Sequence, residues 1–168
     1  KIVLTWIVSP RKKEAERIHN DIVEDVLFST RVITSTLVGA NHPKLRGIKF
    51  TTCFIDEAAQ ALEPASWIPI IKSNKIVFAG DHLQLPPTVK SFKAGEDGLK
   101  ETLFERAIRG NQADVLLNEQ YRMNEKIMAF SSKQFYKGIL KANERNAHQK
   151  IFPKDTVVEY LDTSGTSF

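Results

Sequence analysis

The chain has 168 residues, of which 42% are hydrophobic and 26% are charged, and its formal net charge is +4. These values are ordinary for a globular protein and exclude an intrinsically disordered tail. No stretch approaches the roughly 20 consecutive apolar residues of a membrane span, and no signal peptide is visible, so we expect no membrane partner. The lone cysteine, Cys53, cannot form an internal disulfide. It suits a reducing compartment, so we expect an intracellular, cytoplasmic protein, or a nuclear one in a eukaryote.

The first forty residues predict a strand, a helix and a second strand. Residues 2–8 read as a strand, and Ser9 and Pro10 are typical of a helix start. Residues 31–40 are rich in β-branched side chains and run into a glycine turn, which predicts the second strand. Between them, apolar residues at helical spacing predict a face that packs and so holds the helix in place. These residues are Ala15, Ile18, Ile22, Val23, Val26 and Leu27.

Two adjacent carboxylates follow a short apolar run. Residues 51–55 predict a buried strand, and Asp56 and Glu57 come directly after it. Acids in this place lie at the C-terminal edge of an open α/β sheet, where ligands bind. The first acid would hold Mg²⁺, and the second would orient or deprotonate an attacking water. The alternative is that the two acids only cap a helix that begins at Ala58.

A second strand is followed by a second polar segment. Residues 75–79 predict the strand, and Gly80 permits a sharp turn after it. Pro86 and Pro87 stiffen the loop beyond, so Gln84 is expected to face the same sheet edge, where an amide can sense a terminal phosphate. The broken helical pattern of residues 58–71 lies between the two strands. Strand, helix and strand at this spacing predict a parallel βαβ unit and an α/β fold.

The remaining pattern predicts further elements in both halves of the chain. Residues 89–98 and 142–154 read as loops, and a helix over residues 99–108 is closed by Gly110. A strand is predicted over 114–118, a helix over 124–134 and a last strand over 156–161. The chain begins with Lys1 and contains methionine at Met123 and Met128 only, so we interpret it as a piece of a longer protein.

Three clusters in fixed order carry a resemblance to a known family. The sequences Asp-Glu-Ala-Ala-Gln at 56–60, Gly80 to Pro87, and Gln-Tyr-Arg-Met at 120–123 resemble motifs II, III and IV of superfamily 1 helicases. The likeness is to the 1B branch, which contains the RNA helicase of nonsense-mediated decay and the senataxin-type helicases. Residues 31–40 resemble motif Ic. The resemblance implies a RecA-like P-loop NTPase sheet, with residues 1–119 in the first motor domain and 120–168 beginning the second.

The resemblance also implies a role for individual residues in an ATP and Mg²⁺ site. Asp56 would hold Mg²⁺, Glu57 would act on the attacking water, and Gln84 would contact the γ-phosphate. Arg122 would reach the γ-phosphate from the second domain, and Tyr121 would stack on adenine. A guanidinium fork clamps phosphate well, and an aromatic face packs on a base. The alternative for the last pair is a packed hinge tyrosine and a surface arginine that pairs with Glu119 or Glu125.

The same resemblance implies a single-stranded nucleic acid partner, either DNA or RNA. Thr36 would meet its phosphate backbone, and Pro86 and Pro87 would lie near it. By residue type alone, a strand threonine is usually only a good β-former. The parent protein would then be an ATP-driven motor, monomeric on the nucleic acid.

One family feature is missing from the chain. No G-x-x-x-x-G-K-[ST] sequence is present, and none of the eight glycines precedes a lysine. Motifs V and VI are missing too. We therefore predict that the 168 residues alone do not hydrolyse ATP measurably. Two further readings stay open, a non-catalytic nucleic-acid-binding scaffold and a Mg²⁺-dependent nuclease that uses Asp56 and Glu57, for which Asp81 is the only obvious additional carboxylate.

Overall fold

The computed structural model describes residues 2–110, 114–154 and 156–165, the first nine of these by their backbone alone. The chain divides into two compact units, Lys1–Ala107 and Ile108–Phe168. Each unit is described by itself. Within the described ranges, no helix is both long enough and apolar enough to cross a membrane.

The first unit begins with a long helix, α1, which spans Ile2–Ser29. The strand predicted over residues 2–8 is therefore wrong. A helix satisfies its own backbone hydrogen bonds, whereas a strand needs a partner strand. The predicted packed face is wrong too, because Ile18, Ile22 and Val26 are 49%, 56% and 56% exposed. The end of α1 is closed by Thr30, whose hydroxyl and amide both donate to the carbonyl of Val26.

Residues 31–40 form no strand, so the strand predicted over this range is wrong. The segment has strand-like composition, but its backbone finds no partner strand and ends in two 3₁₀ turns, Gly39–Asn41 and Pro43–Leu45. The ammonium of Lys72 donates to the carbonyls of Ala40 at 2.7 Å and Leu45 at 3.3 Å. Through these two hydrogen bonds, the half-buried Lys72 links both turns to the start of the strand that begins at Ser73.

A parallel pair of strands forms the centre of the first unit. Strand β1, Phe50–Ile55, pairs with β2, Ser73–Phe78, and Ile55 lies opposite Phe78. A 3₁₀ turn, Ala58–Gln60, and helix α2, Glu63–Ile70, connect the two strands. The predicted strand-helix-strand unit and the α/β fold class are confirmed.

The core of this unit lies where β1 meets its connection. Ile55, Ala58 and Ile70 are 3%, 2% and 6% exposed and pack together. Five half-buried side chains surround them: Leu37, Cys53, Phe78, Leu103 and Phe104. The end of β1 is therefore the best-buried part of the unit, and the polar residues that follow it start from a fixed point.

Two helical segments complete the first unit. The region predicted as a loop contains a short helical turn, α3 at Phe92–Ala94, which continues as a π-helical turn over Gly95–Leu99. Helix α4 spans Leu103–Gly110, so the predicted helix closed by Gly110 is confirmed. Arg106 on α4 pairs with Glu63 at the start of α2, with 2.9 Å between guanidinium nitrogen and carboxylate oxygen.

Among its described residues, the second unit forms two short parallel strands and two helices in addition to the last residues of α4. Strand β3, Glu119–Gln120, pairs with β4, Lys141–Ala142. Helix α5, Glu125–Phe135, confirms the predicted helix, and α6, Glu144–Ala147, occupies part of the region predicted as a loop. Residues 114–118 and 156–161 form no strand, so both predicted strands are wrong. Their apolar and β-branched residues suit a sheet, but strand formation depends on a partner that composition does not reveal.

Candidate functional site

The chain segments that follow β1 and β2 leave the sheet side by side. The amide of Ala79 donates to the carbonyl of Ile55 at 2.8 Å, and the amide of Ala58 donates to the carbonyl of Ala79 at 2.9 Å. These two bonds extend the parallel ladder beyond the last strand residues. Asp56 and Glu57 therefore start from the same sheet edge as the segment that begins at Gly80.

Gly80 passes very close to the backbone of the first segment. A Cβ atom at this position would lie 3.0 Å from the nitrogens of both Ala58 and Ala59, closer than side chains normally come. Only glycine lets the two segments approach so closely. The sequence analysis assigned Gly80 to a sharp turn, and the structure adds this close approach.

Asp56 and Glu57 are both exposed at this edge. Oδ1 of Asp56 accepts a hydrogen bond from the amide of Glu57 at 3.0 Å. Glu57 has a φ of 50°, in the left-handed region, which is unfavourable for a residue with a side chain by about 1 kcal/mol. Such a conformation turns the chain sharply at the end of the strand.

The helix-cap alternative for the two acids lacks its characteristic hydrogen bond. Glu57 is the residue before the turn Ala58–Gln60, but its side chain makes no capping bond to that turn. Its Oε2 instead accepts from Nε2 of Gln60 at 3.3 Å. A three-residue turn also has little dipole for the acids to stabilise.

The loop after β2 is organised by a single carboxylate. Oδ1 of Asp81 accepts from the amide of Leu83 at 3.1 Å, and Oδ2 accepts from Nε2 of Gln84 at 2.7 Å. The carbonyl of Asp81 also accepts from the amide of Gln84 at 3.2 Å. Gln84 is exposed, yet its backbone N–H and its side-chain amide both donate hydrogen bonds to Asp81. The sequence analysis missed this role, although an aspartate at the start of a turn is its usual signal.

The residues predicted to lie near nucleic acid occupy separate segments of the first unit. Thr36 is exposed, and its hydroxyl accepts from the amide of Gly39 at 2.9 Å. Pro86 is exposed, whereas Pro87 is buried. Thr36 therefore stabilises the start of a turn and does not lie in a strand. Its predicted contact with a phosphate backbone stays a prediction.

The segment Gln120–Met123 in the second unit is held by the side chain of its first residue. Oε1 of Gln120 accepts from the amides of Arg122 at 2.8 Å and Met123 at 2.9 Å, and its Nε2 donates to the carbonyl of Met123 at 2.8 Å. Tyr121 is 56% exposed, and Arg122 is exposed as well. The sequence analysis did not identify this function of Gln120.

The alternative environment predicted for Tyr121 and Arg122 differs from the observed one. Glu119 accepts from Nδ2 of Asn143 at 2.8 Å, and Glu125 lies 3.5 Å from Nδ1 of His148. Among the residues that the structure describes, neither acid forms an ion pair with Arg122. Tyr121 is also too exposed to be a packed core residue. Both side chains are therefore directed to solvent within their unit.

The comparison with protein families decides the affiliation of the chain. Two family models, each described as an AAA domain, match residues 5–92 and 99–165. The chain belongs to the AAA domain family. The first match alone covers more than half of the chain.

Relatives of this AAA domain chain include helicases from archaea and eukaryotes. It is 44% identical over 147 residues to an uncharacterized ATP-dependent helicase of Methanocaldococcus jannaschii, a match that covers 83% of this chain and 21% of the relative. It is 44% identical over 118 residues to a DNA replication ATP-dependent helicase/nuclease of Xenopus laevis, covering 70% and 11%. It is 42% identical over 144 residues to the ATP-dependent helicase NAM7 of Saccharomyces cerevisiae, covering 85% and 14%.

These matches confirm the predicted resemblance to superfamily 1 helicases. The AAA domain chain spans about a fifth or less of the length of the three relatives. The predicted motor-domain boundary after residue 119 stays a prediction. Along the chain, the first compact unit ends at residue 107 and the second begins at residue 108. The two family matches are separated by residues 93–98.

Proposed function

We propose that this AAA domain chain is part of an ATP-dependent helicase that hydrolyses ATP in order to move along single-stranded DNA or RNA. The observation that carries the proposal is the ladder joining Ile55, Ala79 and Ala58, because it brings the acid pair and the glutamine loop to one sheet edge. Ligands of open α/β sheets bind at such an edge. The three relatives are all named as ATP-dependent helicases, which supports the same proposal.

The donor set at the sheet edge fits a magnesium nucleotide. Asp56 offers an exposed carboxylate, the hard oxygen ligand that Mg²⁺ prefers, and substrate phosphates and water usually supply the other ligands. Bound Mg²⁺ would supply neutralisation of phosphate charge. Glu57 would orient the attacking water and accept its proton, and Gln84 would contact the γ-phosphate. Phosphoryl transfer needs mainly such positioning and charge stabilisation.

The second unit would supply the remaining nucleotide contacts. Arg122 would bind the γ-phosphate through its planar fork of donors, and Tyr121 would stack on adenine. The exposure of both side chains supports these assignments, since a ligand can reach them. In this proposal, residues 1–119 belong to the first motor domain and 120–168 begin the second. Thr36, Pro86 and Pro87 would lie along the nucleic acid, and the protein would act inside the cell as a monomer.

The deciding experiment replaces Glu57 in the full-length protein. Glu57→Gln keeps the size of the side chain but removes its ability to accept a proton, so we expect nucleic-acid-stimulated ATP hydrolysis to fall by about 10²-fold or more. Nucleotide binding should be retained, because Asp56 and the phosphate contacts are intact. The matched control is Glu96→Gln, an exposed glutamate in the π-helical turn. If the Glu57 variant kept its turnover, the assigned role of Glu57 would be wrong.

The same protein distinguishes the two alternatives. A non-catalytic scaffold predicts nucleic-acid binding with no ATP turnover in the unmodified full-length protein. A Mg²⁺-dependent nuclease predicts strand cleavage without ATP, which a gel assay detects, and loss of that cleavage in Asp56→Asn. Turnover that depends on Glu57, without cleavage, supports the helicase.

A further inference from the structure

The orientation of the Gln120 amide is fixed by its partners. Its Oε1 faces two backbone N–H groups, and its Nε2 faces one carbonyl. A rotated amide would place N–H donors against the amides of Arg122 and Met123, so only one orientation satisfies all three groups. One side chain thus closes the whole turn Gln120–Met123, and the two residues inside that turn leave their own side chains in solvent.

Gln120 is itself anchored by strand β4 and the residue that follows it. Its carbonyl accepts from the amide of Asn143 at 2.9 Å, and it lies opposite Ala142 in the β3–β4 pair. Its side chain is only partly exposed. Strand pairing therefore fixes Gln120, and Gln120 fixes the turn.

We propose that Gln120 is a positioning residue that sets the backbone from which Tyr121 and Arg122 reach the nucleotide. This inference depends on the proposed function, which assigns adenine to Tyr121 and the γ-phosphate to Arg122. Long side chains lose conformational freedom when they bind, and a backbone ordered in advance lowers that cost. A small displacement of a group that positions the substrate can reduce turnover by about 10²-fold. Gln120 touches neither adenine nor phosphate in this scheme.

The test uses three variants of the full-length protein. Gln120→Met keeps the length of the side chain and removes all three hydrogen bonds. Gln120→Glu keeps an acceptor for the two amides but places a second carboxylate oxygen against the Met123 carbonyl, so it should be intermediate. Gln134→Met is the matched control, because Gln134 is an exposed residue of α5 in the same unit.

The decisive readout is the ratio of kcat/KM for ATP to kcat/KM for CTP. A partly unfolded sample lowers both values equally and leaves the ratio unchanged, whereas a misplaced Tyr121 loses its preference for the larger purine ring. We expect Gln120→Met to lower kcat/KM for ATP by about tenfold to a hundredfold and to lower the ratio as well. Gln134→Met should change neither. Added to Arg122→Ala, Gln120→Met should cause little further loss of turnover.

Two failures are distinguishable. If Arg122→Ala leaves ATP turnover unchanged, the proposed role of Arg122 is wrong. The proposal that Gln120 positions Arg122 is then wrong as well. If Arg122→Ala abolishes turnover but the ratio stays at the unmodified value in whichever Gln120 variant folds, the positioning role is overturned and the proposed function stands.

Discussion

Nε2 of Gln84 donates a hydrogen bond to the carboxylate of Asp81 across 2.7 Å. A bond to a charged acceptor is about twice as strong as one between neutral groups, so it sets the orientation of the amide. The carboxylate also accepts from the amide of Leu83. Asp81 therefore holds the Gln84 amide in one orientation, and this makes Asp81 a good target for mutation.

We expect Asp81→Asn to lower ATP turnover of the full-length protein about tenfold. Asparagine can still accept from the amide of Leu83 through Oδ1, but it turns an N–H donor toward Gln84, whose amide must then rotate. Steady-state ATP hydrolysis measures the effect. Asp97→Asn, an exposed aspartate in the π-helical turn, is the control. Unchanged turnover in Asp81→Asn would show that the orientation of Gln84 is unimportant.

Gly80→Ala should destabilise the first unit by about 1–3 kcal/mol. The added methyl group would lie 3.0 Å from two backbone nitrogens, and the backbone must shift to make room. Urea denaturation of the 168-residue chain measures the change in unfolding free energy. Gly110→Ala is the matched control, because a Cβ there meets no atom within 4 Å. Equal stability of the two variants would contradict the close approach at Gly80.

Thr102→Ala should cost about 1–2 kcal/mol of stability. Thr102 is fully buried, and its hydroxyl accepts from the amide of Glu105 at 3.1 Å, while Oε2 of Glu105 accepts from the amide of Thr102 at 2.8 Å. These reciprocal bonds form a capping box at the start of α4. Thermal unfolding followed by circular dichroism reports the loss. Thr102→Ser retains the hydroxyl and should lose much less, so an equal loss in both variants would exclude capping as the cause.

Cys53 should react slowly with alkylating reagents near neutral pH. Burial raises the pKa of the Cys53 thiol, and a hydrogen bond with Ser73 opposes this effect only in part. Because the thiolate is the reactive form, the pH midpoint of the iodoacetamide rate should lie above that of the same chain unfolded in urea. A folded midpoint at or below the unfolded one would contradict the prediction.

The same shift in pKa has a consequence for stability. Below the unfolded pKa both states hold a neutral thiol, so the stability contribution is fully present there. As pH rises toward the higher folded pKa, the unfolded chain releases its proton first, and stability falls. In Cys53→Ala the unfolding free energy should therefore decline less steeply under alkaline conditions than in the unmodified chain.

The sequence predicted the strand-helix-strand unit because each part of it is encoded locally. The apolar run before Asp56, the broken helix and the run before Gly80 follow one another at the spacing of a parallel crossover. The strands predicted over 31–40, 114–118 and 156–161 were wrong for the opposite reason. Their composition suits a sheet, but pairing depends on distant segments.

The hydrogen bonds of Asp81 and Gln120 could not be predicted from the sequence, for a different reason. Aspartate and glutamine bond to many backbone groups, and the choice depends on the path of the loop. The motif residues Gln84 and Arg122 could be singled out by resemblance, but the side chains that hold their loops could not. Here each supporting residue lies within three positions of the residue it supports.

Ile55 lies opposite Phe78 in the strand pair. This register fixes the point at which Asp56 and Glu57 leave the sheet. A slip of one residue would turn every side chain of β1 to the other face of the sheet and shift the point from which Asp56 and Glu57 leave it. The packing of Ile55 against Ala58 and Ile70 opposes such a slip and so holds the start of the acid pair in place. Substitutions at the buried residues Ile55 or Ile70 should therefore displace Asp56 and Glu57 while leaving both carboxylates intact.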